Sequence, residues 1–173
     1  KKLDVAELLE LVRIDDLILI FQRKKIIDLI SDRSLVYLAE LGQEGEIVEV
    51  QFAEITNFVN EEISLIKKDY EDYFDFDSIE ESLSKMRYDE ILNKKNILNV
   101  FSKKMKKRGE IIPKGYRILR NVTILSDEDI NLIISNFQNL RALINASEED
   151  FVSKGIEKKK AKAIKEYLLR AQL

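Results

Sequence analysis

The stretch "FVSKGIEKKKAKAI", Phe151–Ile164, sets one glycine in a short hairpin ahead of a helix that begins with a lysine run. That combination can hold an anion. Glycine lets the backbone approach a phosphate closely, and the free amides of a helix's first turn, with its dipole, favour negative charge. Gly155 would be the close-approach position and Ile156 an apolar plug directed into the core, with Lys158, Lys159 and Lys160 as first-turn cations. Such a contact is made to backbone and carries little base-sequence information. Two features oppose it. Glu157 puts a carboxylate where a second glycine with positive φ is expected, and Ser153 stands where an apolar residue should precede the glycine by two. A hairpin that only packs its own domain is the competing reading.

A second basic group, Lys103, Lys104, Lys106, Lys107 and Arg108, opens "KKMKKRGEIIPKGYRILR". Between Lys94 and Arg120 ten basic residues stand against the single acid Glu110. The group reads either as a solvated helix end, where the dipole favours cations, or as another phosphate-facing patch. The wider charge distribution is as lopsided: residues 1–90 carry a balance of -12 and residues 91–173 one of +9. An acidic body attached to a nucleic-acid-binding end produces this split, and so do two halves that dock on each other.

Other chemistry is excluded by composition. With no cysteine and no histidine among 173 residues, there are no disulfides, thiolate metal sites, Cys nucleophiles or His bases. Asp72, Asp75 and Asp77 lack the glycine and closing glutamate of a calcium loop, so no metal ligands are assigned. Apolar runs are short, "LILIF" being typical, so neither a membrane span nor a signal peptide is expected. A cytoplasmic protein follows.

The elements that must position these groups are helices. One proline and five glycines are too few for a sandwich or barrel, and the expected class is all-α. "VAELLELV" and "LILIFQRKKIIDLI" predict two helices before residue 32, and Ser34 caps a third that breaks at Gly42 to Gly45. "EIVEVQF" alternates like a strand, yet Phe52, Ile55, Val59, Ile63 and Ile66 keep helical spacing and favour a helix. After the acidic connector "EDYFDFD", Ser78 and Glu81 form a capping box, and one helix is expected from Tyr88 to Met105. Gly109 and Pro113 mark a boundary between a helical linker domain, 1–110, and a compact domain, 111–173. In the latter one helix ends near Asn121, others start at Ser126, Asn139 and Ser147, and the last starts just after Gly155. The earlier hairpin, "RNVTILSDED", is expected to be structural.

The motifs "PKGYRIL" (Pro113–Leu119), "FQNLRALINAS" (Phe137–Ser147) and "GIEKKKAKAI" (Gly155–Ile164) follow in the order found in one known family. They resemble the C-terminal helix-hairpin-helix domain of the DisA family of DNA integrity scanning proteins. "LELVRIDDLILIFQRKKIIDLI" and "LAELGQEGEIVEVQFAEI" look like that family's helical linker, so the resemblance covers nearly the whole chain. It implies a module that binds DNA, preferably branched, through the phosphate backbone, with the basic residues above as its contacts. It also implies attachment to a diadenylate cyclase domain that makes cyclic di-AMP from two ATP with Mg or Mn. Without histidine or Asp-Gly-Ala this chain is expected to hold no cyclase site and no cofactor, as a fragment or a shortened relative. Alone, it is expected to be monomeric. A helical scaffold with a hairpin that no longer grips DNA remains the alternative.

Overall fold

In the computed structural model residues 14–171 are described, and every regular element among them is a helix. They fall into two compact units, residues 14–67 with 71–108 and residues 68–70 with 109–171.

In the first unit α1 (Ile14–Leu38) runs unbroken through Asp32 and Ser34. The cap expected at Ser34 is absent, because without Gly or Pro nearby a mid-helix serine costs only about half a kcal/mol. The predicted helix before residue 14 lies outside the described residues. A 3-10 turn, Ala39–Leu41, leads to α2 (Gln43–Tyr70), which carries "EIVEVQF" as helix, as its spacing predicts. Next, α3 (Phe76–Ser84) starts earlier than the expected cap at Ser78. Asp75 is its N-cap, accepting from the Ser78 amide at 3.3 Å and from the Ser78 hydroxyl at 2.7 Å. The earlier start lets Phe76 enter the buried face together with Ile79 and Leu83.

The single helix expected from Tyr88 to Met105 is two, α4 (Tyr88–Leu92) and α5 (Lys94–Lys103). Asn93 breaks the run with extended backbone, and its side chain accepts from the Lys95 amide at 3.1 Å. Asparagine competes with helix in this way wherever its amide can cap the next turn. Phe21 stacks on Phe76 at 5.3 Å and meets Phe101 edge-on at 5.4 Å, with Phe74 at 5.6 Å from Phe101. Such pairs add about 0.5–1.5 kcal/mol beyond area burial. Buried Gln22 is satisfied by donating to the Ile91 carbonyl at 2.6 Å.

The second unit contains α6 (Tyr116–Arg120), α7 (Asp127–Phe137), α8 (Leu140–Asn145), α9 (Glu148–Ser153) and α10 (Lys158–Ala171). Ser126 and Ser147 cap α7 and α9, as their sequence positions predict, and Asn139, near which α8 is expected to begin, is its cap. The cap of α6 comes from far away in sequence. Asp69, in the last turn of α2 and so among the residues 68–70 that belong to this second unit, accepts from the amides of Gly115 at 2.7 Å, Tyr116 at 2.6 Å and Arg117 at 3.3 Å. Burial pushes its carboxyl above the usual range, while the three amides pull it back down. Gly115 is required there twice over: φ is +115°, and a Cβ would lie 2.7 Å from a Leu143 methyl.

Candidate nucleic-acid interface

The hairpin between α9 and α10 is a helix stop followed by a helix start. The Ile156 amide donates to the Phe151 carbonyl at 3.1 Å and the Gly155 amide to the Val152 carbonyl at 3.0 Å. This crossed pair is a Schellman motif, with Gly155 in its left-handed position at φ +86°. The motif's apolar contact is Ile156 against Phe151, both buried in the core. Gly155 is exposed, and a Cβ there would meet nothing within 4 Å. Its requirement is therefore the backbone angle, not space.

The first backbone bond of α10 runs from the Ala161 amide to the Glu157 carbonyl at 2.9 Å, which makes Glu157 the N-cap. Among the described residues no group accepts from the amides of Lys158, Lys159 or Lys160. Glu157 departs from expectation, because the only non-glycine with positive φ among the described residues is Gln138. No left-handed angle is asked of Glu157, since Gly155 alone turns the chain. Its carboxylate is exposed and lies 3.9 Å from the Lys160 ammonium.

The three lysines differ in what they do. Lys158 and Lys159 are exposed. Lys160 is engaged by Asp129 at 2.9 Å, which joins the start of α10 to the capping box of α7. The Asp129 carboxyl is held below the usual range by the Ser126 amide first and by Lys160 second. Ser153, the last residue of α9, is exposed and donates to the Asp150 carbonyl at 2.8 Å.

Beside the lysines lies a groove of about 490 Å³. Its walls are the first hairpin's loop, Asn121 to Ile124, and α10 at Lys159, Lys162, Glu166 and Arg170, with Tyr167 also facing it. Motif spacing alone did not single out Lys162 and Arg170. Their signal was present, since 159, 162, 166 and 170 repeat at three- and four-residue steps and so share one helix face. Asp69 had no local signal, standing 46 residues before Gly115.

The group Lys103 to Arg108 belongs to the first unit. Its backbone is tied to the acidic connector: the Asp75 amide donates to the Lys104 carbonyl at 3.0 Å, and the Lys106 amide donates to the Tyr73 carbonyl at 2.8 Å. The Lys106 ammonium donates to the Glu71 carbonyl at 3.2 Å. Asp75 is held below the usual carboxylate range, chiefly by Ser78 and in smaller part by Lys106 and Lys104. Opposite charge runs within one unit thus lie against each other, while Lys103, Lys107 and Arg108 stay exposed. Among the described residues no cluster of acids could hold a metal ion, and no helix is long and apolar enough to cross a membrane.

A family model for the DisA bacterial checkpoint controller linker region matches residues 1–108. The chain belongs to the DisA family. A DNA integrity scanning protein DisA from Clostridium tetani is 31% identical over 97% of this chain and 48% of its own length. The DisA proteins of Fusobacterium nucleatum and Acetivibrio thermocellus are 30% and 29% identical over 94% and 98% of the chain. The chain therefore spans about half the length of the curated DisA relatives it matches.

Proposed function

We propose that the second unit binds DNA through its phosphate backbone, with Gly155 and the start of α10 as the clamp and Lys158, Lys159 and Lys162 as the attracting charges. One observation carries this reading: α10 begins with three amides from which no group accepts among the described residues, flanked by exposed lysines, whereas the other helix starts of the unit are capped by carboxylate, serine or asparagine side chains. An anion completes such a helix start. The relatives' name, DNA integrity scanning protein, agrees with a ligand of this charge.

In this reading the preferred DNA is branched, and Lys103, Lys107 and Arg108 add contacts from the first unit. Occupancy is sensed by a diadenylate cyclase domain in the intact protein, where ATP and Mg or Mn belong. The chain itself carries no catalytic group and is monomeric alone. The scaffold alternative draws on one fact: the Schellman motif accounts for Gly155 and Ile156 without any ligand. A gel shift of Holliday junction against linear duplex at about 50 mM and 200 mM salt decides between them. Salt-sensitive binding that favours the junction is the expected result. No binding at the lower salt assigns the unit to packing.

A further inference from the structure

The apolar stripe of α2 changes character along its length. Val48, Phe52, Ile55 and Val59 follow one another at steps of four, three and four, and Ile63 and Ile66 continue the same face. Ile63 and Ile66 are 3% and 1% exposed in the core of the first unit. Upstream the same stripe is uncovered: Ile55 is 55% exposed, Val48 37%, and Phe52 and Val59 are half-buried. Ile47 and Phe58, both 64% exposed, widen it. From Glu46 to Glu62 no described side chain is buried. A helix stretch this long gains its stability from packing an apolar face, and a contiguous exposed patch marks an interaction surface.

Charge selects the occupant. Between Arg33 and Lys67 there are seven acidic residues and no basic one. Glu49 stands beside the stripe by its spacing, Glu54 lies next to the flank that Ile47 and Phe58 widen, and Glu46 and Glu61 lie on the rest of the helix. A second copy of α2 would set acid against acid, and like charges across an interface are strongly disfavoured. Nucleic acid is repelled for the same reason. We propose that the Val48 to Val59 face of α2 is a docking site for a basic amphipathic helix of a partner protein, leucine-like residues covering the stripe and lysine or arginine meeting the flanking glutamates. This is a helix-on-helix mode read at three- and four-residue anchors. It does not depend on DNA binding, because it uses neither the second unit nor a basic residue.

The test is fluorescence anisotropy of the full chain with a labelled helical peptide of leucine and lysine, beside a matched leucine–glutamate peptide. The lysine peptide should bind and the glutamate peptide should not. Phe52→Ser with Ile55→Ser should weaken binding at least tenfold, and Glu49→Gln with Glu54→Gln should weaken it and flatten its salt dependence. Both changes are at sites outside the core, and Glu149→Gln in the second unit should leave binding unchanged. Equal binding of the two peptides, or full affinity in the serine variant, overturns the proposal. So does a dimer in sedimentation equilibrium that Ile55→Ser dissolves, since the face then belongs to a second copy.

Discussion

Between α6 and α7 the chain turns at Thr123 and Ile124, just after buried Val122, and α7 starts under a complete capping box; between α9 and α10 it turns on exposed Gly155, and α10 starts without one. In the first hairpin the Ser126 hydroxyl accepts from the Asp129 amide at 3.2 Å and the Asp129 carboxylate accepts from the Ser126 amide at 2.8 Å. The protein has used that helix start itself. Its first turn carries Asp127, Glu128 and Asp129, where the second hairpin carries Lys158, Lys159 and Lys160. An anion is repelled from one start and attracted to the other. On the proposed reading the two hairpins, similar in layout, divide the work, one fastening the fold and one left open for a ligand.

The largest effect should come from breaking the first hairpin at its remote anchor. Asp69→Ala leaves three amides at the start of α6 without their acceptor, at a site where Asp69 itself is 3% exposed. At about 1–3 kcal/mol for each buried unsatisfied group, a loss of about 3 kcal/mol is expected. Urea unfolding measures it, and amide exchange should rise first at Gly115 to Arg117. A loss below about 1 kcal/mol would mean that water replaces the carboxylate.

Next in size is the charge contrast. Neutralising Lys158, Lys159 and Lys162 to glutamine should lower junction affinity at least tenfold, about 1.4 kcal/mol. The slope of log affinity against log salt on duplex should fall by about 0.9 for each phosphate that a lysine no longer neutralises. Arg120→Gln, in the first hairpin, should change neither, because Arg120 is paired with Asp127 at 2.7 Å. Equal losses from both hairpins would erase the division of labour.

Gly155 separates backbone strain from ligand approach. Gly155→Ala should cost about 1–2 kcal/mol in thermal or urea unfolding, because an alanine at φ +86° is strained although no atom blocks its Cβ. Gly155→Asn should cost less, since asparagine tolerates the left-handed position. If the asparagine variant keeps its stability and loses DNA affinity, the glycine also serves close approach. If it keeps both, the Schellman motif is the whole reason for it.

The helix class, the caps at Ser126 and Ser147, and a helix start near Asn139 were legible because each depends on residues within one turn. Breaks that depend on a competition were not. Ser34 lost to the continuing helix, Asn93 won against it, and Asp75 took the cap from Ser78 because Phe76 needed burial. Groups joined across the fold were invisible to spacing: Asp69 under α6, Lys160 on Asp129, and the lysine run against the acidic connector. The last of these explains part of the charge split as internal neutralisation.

Glu157 gives the finest test. Two penalties are expected from the sequence at this position, a carboxylate beside the phosphate path and a side chain at positive φ. The second is absent, because Gly155 alone takes the left-handed angle in the hairpin. Only the charge remains, and it is exposed, with Lys160 at 3.9 Å as its neighbouring cation. Lys160 is itself held by Asp129, so it does not follow the carboxylate away from an incoming phosphate. An exposed like charge acts within a Debye length of about 10 Å at 0.1 M salt, and Glu157→Gln should therefore tighten DNA binding about threefold at low salt and less as salt rises. Glu157→Gly should give the same gain and no more, with at most a few tenths of a kcal/mol lost at the N-cap. Anisotropy on both variants reads the difference. A larger gain for glycine would show that the backbone itself must come closer to the phosphate, and no gain in either variant would take Glu157 away from the phosphate path and leave the hairpin as a packing element.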